Sequence, residues 1–192
     1  MINKYFVVSL PRSGTSSISK MAKVCGLNPI HAPHVNYKQR IASENFNFFS
    51  DTPIFCPKNI DDICNSFKNI NIKFIYINRN FTDIFNSWKN VNLYNNYIRM
   101  YNSDRETLKL SMKFDLNSYD DAFGNIKMTE DNYEEIFKNH KENVYKIVEK
   151  HNKDILTYNF EEGWEPFCKF LNVEIPEEDL PHLNKNKMFD KI

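Results

Sequence analysis

The chain has 192 residues, of which 41% are hydrophobic and 15% aromatic, and this composition predicts one globular domain over residues 1–192. Lys and Arg together number 25, as do Asp and Glu, so the balanced charge gives no support for a nucleic-acid partner or a membrane-surface role. Four scattered cysteines without a CxxC pair argue against zinc. With no signal pattern and no apolar run long enough to span a membrane, the sequence predicts a soluble cytoplasmic protein.

Strand and helix patterns alternate along the chain. The sequence predicts strands at 5–10, 28–31, 46–51, 72–78 and 154–160, and helices at 15–25, 35–45, 57–69, 81–90, 93–110, 129–152 and 163–172. Thr82 is the expected N-cap of the helix at 81–90, and residues 117–125 are expected to form a loop or lid. The alternation predicts a three-layer α/β/α domain around a mostly parallel sheet.

In such sheets, ligands bind beyond the carboxyl ends of the strands. That rule points to residues 11–16, to Asp51 and to residues 78–79. The first of these segments lies in the stretch "LPRSGTSS", a turn between an apolar strand and a helix, where backbone N–H groups and the helix dipole favour an anion. The predicted anion-binding residues are Arg12, Ser13, Gly14, Thr15, Ser16 and Ser17. An ordinary strand-to-helix turn with serine caps is the alternative interpretation.

The same stretch does not match the Walker A pattern, G-x-x-x-x-G-K-[ST], because both the first glycine and the lysine are missing. This disfavours an NTPase and a magnesium site built on the loop. A P-loop nucleoside or nucleotide kinase stays as a competing interpretation.

Two motifs resemble the sulfotransferase superfamily. "PRSGTSS" is similar to the family's 5'-phosphosulfate loop, and "FIYINRNFTDIFNSW" is similar to its 3'-phosphate segment, with Arg79 and Ser87 eight residues apart. The stretches "SDTP", "YEEIFKNHKENV", "GWEPFCKFLNVEIP" and "LPHLN" resemble a small subgroup without a membrane anchor. The resemblance implies a P-loop NTPase-like sulfotransferase fold.

The resemblance also implies the cofactor. Members use 3'-phosphoadenosine 5'-phosphosulfate (PAPS), release adenosine 3',5'-bisphosphate (PAP) and need no metal. The chain departs from many cytosolic members in having Ser17 where a tryptophan stacks on adenine, and in lacking a late R-K-G segment. Lys185 and Lys187 are candidates to replace that segment.

Sulfuryl transfer needs stabilisation of the leaving phosphate and a base for the acceptor. Arg12 and the loop are predicted to act on the leaving group, and Asp51, at the end of a strand, is the first candidate base. A turn or capping aspartate is its alternative role. His31 and His34 are the alternative bases, and His140 and His182 also match family positions.

The predicted reaction moves a sulfuryl group from PAPS to a hydroxyl, or an amine, of a small-molecule or glycan acceptor. Besides the kinase, a catalytically silent PAP- or PAPS-binding protein stays open as an interpretation.

Overall fold

A parallel five-stranded sheet forms the centre of the protein, which we describe from a computed structural model over residues 2–181. Its strands are β1 (Asn3–Val7), β2 (Pro29–His31), β3 (Phe48–Ser50), β4 (Asn71–Ile77) and β5 (Asp154–Tyr158). The strand order is β2-β3-β1-β4-β5, and every neighbouring pair is parallel. The predicted α/β class and parallel sheet are confirmed.

Eight α-helices connect and cover these strands within residues 2–181. They are α1 (Thr15–Val24), α2 (Tyr37–Ala42), α3 (Pro57–Ser66), α4 (Phe81–Asn90), α5 (Leu93–Asn102), α6 (Leu110–Ala122), α7 (Tyr133–Lys150) and α8 (Trp164–Leu171). In the described part of the chain, none of them is long and apolar enough to cross a membrane.

Alternate residues of the strands pack into the two outer layers, because successive side chains of a strand point to opposite faces. Val7 and Ile75 face α1 and α8, whereas Phe6 and Phe74 face α3 and α7. A third cluster joins α4, α5, α6 and α7 to the segments that follow β1 and β3, with Trp88 at 0% exposure. These helices therefore pack around the two segments that the sequence singled out.

The prediction of a loop over residues 117–125 is wrong for residues 117–122, because α6 continues through residue 122. Its Asn, Ser and Asp residues favour turns by hydrogen bonding to nearby backbone. Tertiary packing overrides that preference: Leu116 and Tyr119 are buried on one side of the helix, and the buried Asp120 pairs with Arg105.

The predicted cap of α4 is also wrong. Asn80, not Thr82, is the N-cap, and its side-chain oxygen accepts hydrogen bonds from the N–H groups of Thr82 and Asp83. Asn at this position satisfies two donors that have no partner within the helix. The helix bounds themselves, 81–90, are as predicted.

Candidate active site

The β1–α1 loop, residues 8–14, turns sharply before the first helix. Arg12 has φ +72° and Gly14 has φ +120°, and the Ser13 N–H donates to the Leu10 carbonyl at 3.2 Å. The indole N–H of Trp88 donates to the Pro11 carbonyl at 2.9 Å. Helix α4 therefore fixes the loop from the side.

Packing also requires a glycine at position 14, which the sequence did not reveal. A Cβ at this position would lie 2.4 Å from Cε2 of Phe160. The sequence analysis assigned this glycine to close approach of an anion. In the structure it also lets the loop lie against an aromatic side chain from the segment after β5, in a backbone conformation that favours glycine.

The N-terminus of α1 has the features of an anion site. No side chain caps it, so the first N–H groups of the helix have no capping partner. Beside it, Ser13 is 1% exposed, and its hydroxyl has no hydrogen-bond partner among residues 2–181. A buried unpaired hydroxyl is unfavourable unless a ligand satisfies it. The local chemistry therefore fits a phosphate or sulfate oxygen.

Two arginines connect the loop to the end of β4. The Nε–H of Arg12 donates to the Ser87 hydroxyl at 3.1 Å, and Nη1 of Arg79 donates to the carbonyl of Arg12 at 2.9 Å. The two motifs recognised in the sequence thus contact each other directly. The Nη groups of Arg12 bond to no residue within 2–181, which leaves a planar pair of donors for an anion.

Asp51 follows β3 and contacts the first residue of α1. Its Oδ2 accepts from the Thr15 hydroxyl at 3.0 Å, and its Oδ1 accepts from the Thr52 N–H at 2.7 Å. The residue has φ +68°. Both oxygens of the carboxylate are thus already bonded to the protein, so the side chain organises the loop and its own turn at once.

His31 ends β2 and lies next to this carboxylate. Its Nε2 is 3.4 Å from Oδ2 of Asp51 and 3.3 Å from the Ser16 hydroxyl, and its Nδ1 is 2.9 Å from the Ser50 hydroxyl. Ser50 in turn bonds to Ser19 at 2.6 Å. With the proton on Nδ1, the Nε2 lone pair is available at the sheet edge, beside a carboxylate.

The remaining histidines have different surroundings. His140 is 0% exposed, its Nε2–H donates to the Phe55 carbonyl at 2.8 Å, and burial lowers its pKa to about 4. It is therefore a buried neutral side chain of α7. His34 starts a short 3-10 turn and is exposed. His182, Lys185 and Lys187 lie outside the described residues.

The sequence analysis missed two residues of α6 that reach this region. Asp115 and Tyr119 are one helical turn apart, and the charge of Asp51 raises the pKa of each, although burial is the larger cause for both. The i, i+4 spacing of these two residues is the signal that indicates a shared helix face. It was overlooked because residues 117–125, which include Tyr119, were predicted as a loop.

A family comparison covers most of the chain. Residues 42–189 match the model of a family described as "Sulfotransferase domain". The chain belongs to the sulfotransferase family. The match includes Asp51, Arg79 and Ser87 of this sulfotransferase, and the β1–α1 loop lies N-terminal to it.

One curated relative adds a short local similarity. A stretch of 51 residues, 27% of the sulfotransferase chain, is 37% identical to "Ava biosynthesis cluster protein M" of Aspergillus versicolor. The chain matches only 19% of that protein's length.

Proposed function

We propose that this sulfotransferase uses PAPS as donor and sulfates a hydroxyl group of a small-molecule or glycan acceptor. The observation that carries the proposal is the anion site of the β1–α1 loop: an uncapped α1 N-terminus beside the buried, unpaired hydroxyl of Ser13. Arg12 contributes a full charge at the same place, and its Nε contact with Ser87 orients the guanidinium.

PAPS, when bound, supplies an activated sulfuryl group whose S–O bond to the 5'-phosphate breaks as a new S–O bond to the acceptor forms. The loop residues Arg12, Ser13, Gly14, Thr15 and Ser16 are the proposed contacts of the 5' end, with Ser17 as the proposed contact nearest the adenosine. Donors that are already oriented stabilise the charge that develops on the leaving phosphate without reorganising.

Arg79 and Ser87 are the proposed contacts of the 3'-phosphate. Arg79 is exposed beyond the end of β4, and its Nη1 donates to the carbonyl of Arg12. A guanidinium and a hydroxyl suit a doubly charged phosphate because charge-assisted hydrogen bonds are the strong ones. Donor binding at both ends then depends on Arg12, which contacts both residues.

His31 and Asp51 are the proposed proton acceptors at the other side of the reaction. The geometry favours Nε2 of His31 as the atom that takes the acceptor's proton, because the oxygens of Asp51 already accept hydrogen bonds from Thr15 and Thr52. Asp51, 3.4 Å away, would then stabilise the imidazolium. Asp51 was the first candidate base in the sequence, and here the role of base is proposed for its neighbour His31.

A kinase is the second candidate, and one contact favours it. In P-loop NTPases a loop Ser or Thr and an acidic residue on a neighbouring strand bind Mg²⁺, and here the Thr15 hydroxyl bonds to Asp51. The missing loop lysine speaks against it, because that lysine contacts the β- and γ-phosphates.

Ligand-dependent thermal unfolding separates the two candidates. PAP at 100 times its Kd is expected to add about 2.7 kcal/mol to the free energy of unfolding, and ATP with Mg²⁺ much less. A larger shift with Mg²⁺-ATP would support the kinase instead. Transfer of ³⁵S from labelled PAPS to a panel of hydroxyl acceptors then distinguishes an enzyme from a protein that only binds the nucleotide.

A further inference from the structure

Two buried serine hydroxyls connect His31 to the backbone of α1. Nδ1 of His31 is 2.9 Å from the Ser50 hydroxyl, which is 2.6 Å from the Ser19 hydroxyl. The Ser19 hydroxyl donates to the Thr15 carbonyl at 2.9 Å. Ser50 is 0% exposed and Ser19 is 7% exposed. These hydroxyls are therefore satisfied by one another and by the backbone, and we call the two of them the serine chain.

The pairing of β2 with β3 places the serine chain beside the histidine. His31 is in register with Ser50 at the ends of these two parallel strands. Ser19 lies on α1, where a serine hydroxyl can reach the carbonyl four residues earlier, here that of Thr15. Asp51 directly follows Ser50, and its Oδ2 is 3.4 Å from Nε2 of the histidine. The two ring nitrogens thus face different partners, delivered by consecutive residues.

The direction of the hydrogen bonds follows from the last acceptor. A carbonyl oxygen only accepts, so the single hydroxyl proton of Ser19 is given to Thr15. Ser19 then accepts from Ser50, and the proton of Ser50 is used in that bond. The remaining bond is therefore made by an Nδ1–H group of His31 that donates to Ser50. The opposite direction would give up the bond from Ser19 to the carbonyl, which is unfavourable among buried groups.

The carboxylate of Asp51 favours the other tautomer. It attracts a proton to Nε2, and the imidazole is 38% exposed, so contact with solvent leaves both tautomers accessible. The bonds of the serine chain are 2.6–2.9 Å long, whereas Nε2 is 3.4 Å from Asp51 and 3.3 Å from the Ser16 hydroxyl. The shorter bonds favour a proton on Nδ1. Nε2 is then bare, and Ser16 can donate to it in the free protein.

We propose that Ser50 and Ser19 are positioning residues, which fix His31 as the Nδ1–H tautomer so that Nε2 can take the acceptor's proton. The inference rests on the proposed function, in which His31 is the base. In the transfer, the acceptor's O–H bond breaks, an N–H bond forms at Nε2, and the electron pair stays on the acceptor oxygen. Nδ1–H donates to Ser50 before and after this step. No hydroxyl has to turn, and a preorganised site needs no reorganisation.

The tautomer can be read from long-range ¹H–¹⁵N NMR spectra of the free protein at mildly alkaline pH, where imidazoles are ordinarily neutral. His140 and His151 are references in the same spectrum, because Nε2 of each faces a group that only accepts. These groups are the Phe55 carbonyl and the Asp61 carboxylate, both at 2.8 Å. We expect His31 to show a protonated Nδ1 and a bare Nε2, the reverse of both references. A bare Nδ1 in the parent protein overturns the proposal.

Ser50→Ala and Ser19→Ala interrupt the serine chain at different points. The first removes the acceptor of Nδ1–H. The second frees the hydroxyl proton of Ser50, which can then turn and donate to Nδ1. Both should move the imidazole proton to Nε2, beside Asp51, and lower kcat about tenfold or more, because a nitrogen that already carries a proton cannot accept another. KM for the best-labelled acceptor of the ³⁵S panel and the affinity for PAP should hardly change.

Two further variants separate this role from a structural one. Ser19→Thr retains a hydroxyl that can bond to the same carbonyl, so it should keep the proton on Nδ1 and most of the turnover. Ser118→Ala is the matched control, because Ser118 is 6% exposed and its hydroxyl makes the same kind of helix bond, to the Phe114 carbonyl at 2.9 Å. It should change neither the tautomer nor kcat. Full turnover in a variant whose proton has moved to Nε2, or an equal loss in Ser118→Ala, overturns the positioning role.

The NMR measurement also separates failure of this inference from failure of the proposed function, because it needs neither donor nor acceptor. A parent protein that binds no PAP refutes the proposed function, and the role of the serines in turnover falls with it. A parent protein that binds PAP and transfers sulfate, but has a bare Nδ1 on His31, refutes the serine chain alone.

Discussion

The β1–α1 loop and helix α6 reach the same side of the sheet in opposite ways. In the loop, hydrogen bonds to Leu10, Trp88 and Ser87 position the chain, and the buried Ser13 hydroxyl has no partner among residues 2–181. On α6, Tyr119 is positioned by aromatic packing against Phe55 and Trp88. Hydrogen bonds therefore position the loop, whereas apolar packing positions α6.

The hydrogen-bonded loop matches the nucleotide that it is proposed to bind. A nucleotide with two fixed phosphates suits donors that are oriented in advance, because preorganised groups lose little entropy on binding. The contrast predicts that polar substitutions in the loop change nucleotide affinity, whereas substitutions of the packed residues of α6 change stability.

The largest expected effect is a loss of turnover when His31 or Asp51 is replaced. His31→Gln should lower turnover by about 10²- to 10⁴-fold, the usual range for a lost general base, and leave PAP affinity nearly intact. Asp51→Asn should fall in the same range and also disturb the Thr15 contact. Steady-state kinetics and calorimetry measure the two quantities separately.

A second His–Asp pair provides the control. His151 lies 2.8 Å from Asp61, on α3, and neither residue belongs to the loop or to α6. His151→Gln should keep full turnover. If His31→Gln also does, the base is Asp51 or His34 instead.

Substitution of Arg12 tests the role of the β1–α1 loop in turnover and PAP binding. Arg12→Ala should reduce turnover by about 10²- to 10³-fold, as removal of a preorganised donor to a developing oxyanion does, and should also weaken PAP binding. Arg99→Ala, at an exposed arginine of α5, is the matched control and should change neither. A variant that binds PAP normally and turns over normally would remove Arg12 from the proposed donor site.

The pH dependence of stability tests the buried His140, which packs beneath α6 through Phe55. His140 bonds to the carbonyl of Phe55, whose ring packs on Tyr119. The folded-state pKa is about 4, below the ordinary 6.5, so the unfolded chain binds more protons between these values. The free energy of unfolding should therefore decrease as the pH falls from about 6.5 to 4, by roughly 3 kcal/mol.

Denaturant unfolding at a series of pH values measures this contribution. His140→Gln retains an N–H donor for the Phe55 carbonyl and has no proton to gain, so the difference between parent and variant isolates the histidine. A parent curve parallel to that of His140→Gln would contradict burial of the neutral imidazole.

Substitution of Arg79 distinguishes the proposed 3'-phosphate contact from the contacts at the 5' end of the donor. Arg79→Ala should weaken PAP binding by about 1.5–3 kcal/mol, the range for a hydrogen bond to a charged group. Binding of adenosine 5'-phosphosulfate, which lacks the 3'-phosphate, should hardly change. Equal losses for the two ligands would mean that Arg79 acts through its bond to the Arg12 carbonyl and not on the 3'-phosphate.

The smallest effect concerns the rigidity of the loop. Gly14→Ala should destabilise the fold by about 1–3 kcal/mol, because the new Cβ overlaps Phe160. Gly124→Ala, where φ is +63° and no atom lies within 4 Å of the added Cβ, controls for backbone strain alone. In a Phe160→Ala background the Gly14→Ala effect should shrink. An effect of the same size in both backgrounds would place the strain in the backbone.

The sequence by itself determined the local parts of this protein. An apolar run broken by Pro11, a helix start at Thr15 and an Arg79–Ser87 spacing are short-range patterns, and the strands and helices that carry them form nearly where they were predicted. The parallel sheet follows from the alternation of those elements, since strands that point the same way need helical crossovers. Candidate site residues on such segments could therefore be predicted from the sequence.

Only the tertiary structure decided which of these residues meet. The Arg12–Ser87 and Thr15–Asp51 contacts join residues 75 and 36 positions apart, and no local pattern encodes such a distance. The second half of α6, residues 117–122, was predicted as a loop because its Asn and Asp residues favour turns when isolated, and burial of Leu116 and Tyr119 against other helices reverses that preference. Asp115 became visible only through that packing, because its neighbours Asp51 and His34 come from segments brought together by the sheet.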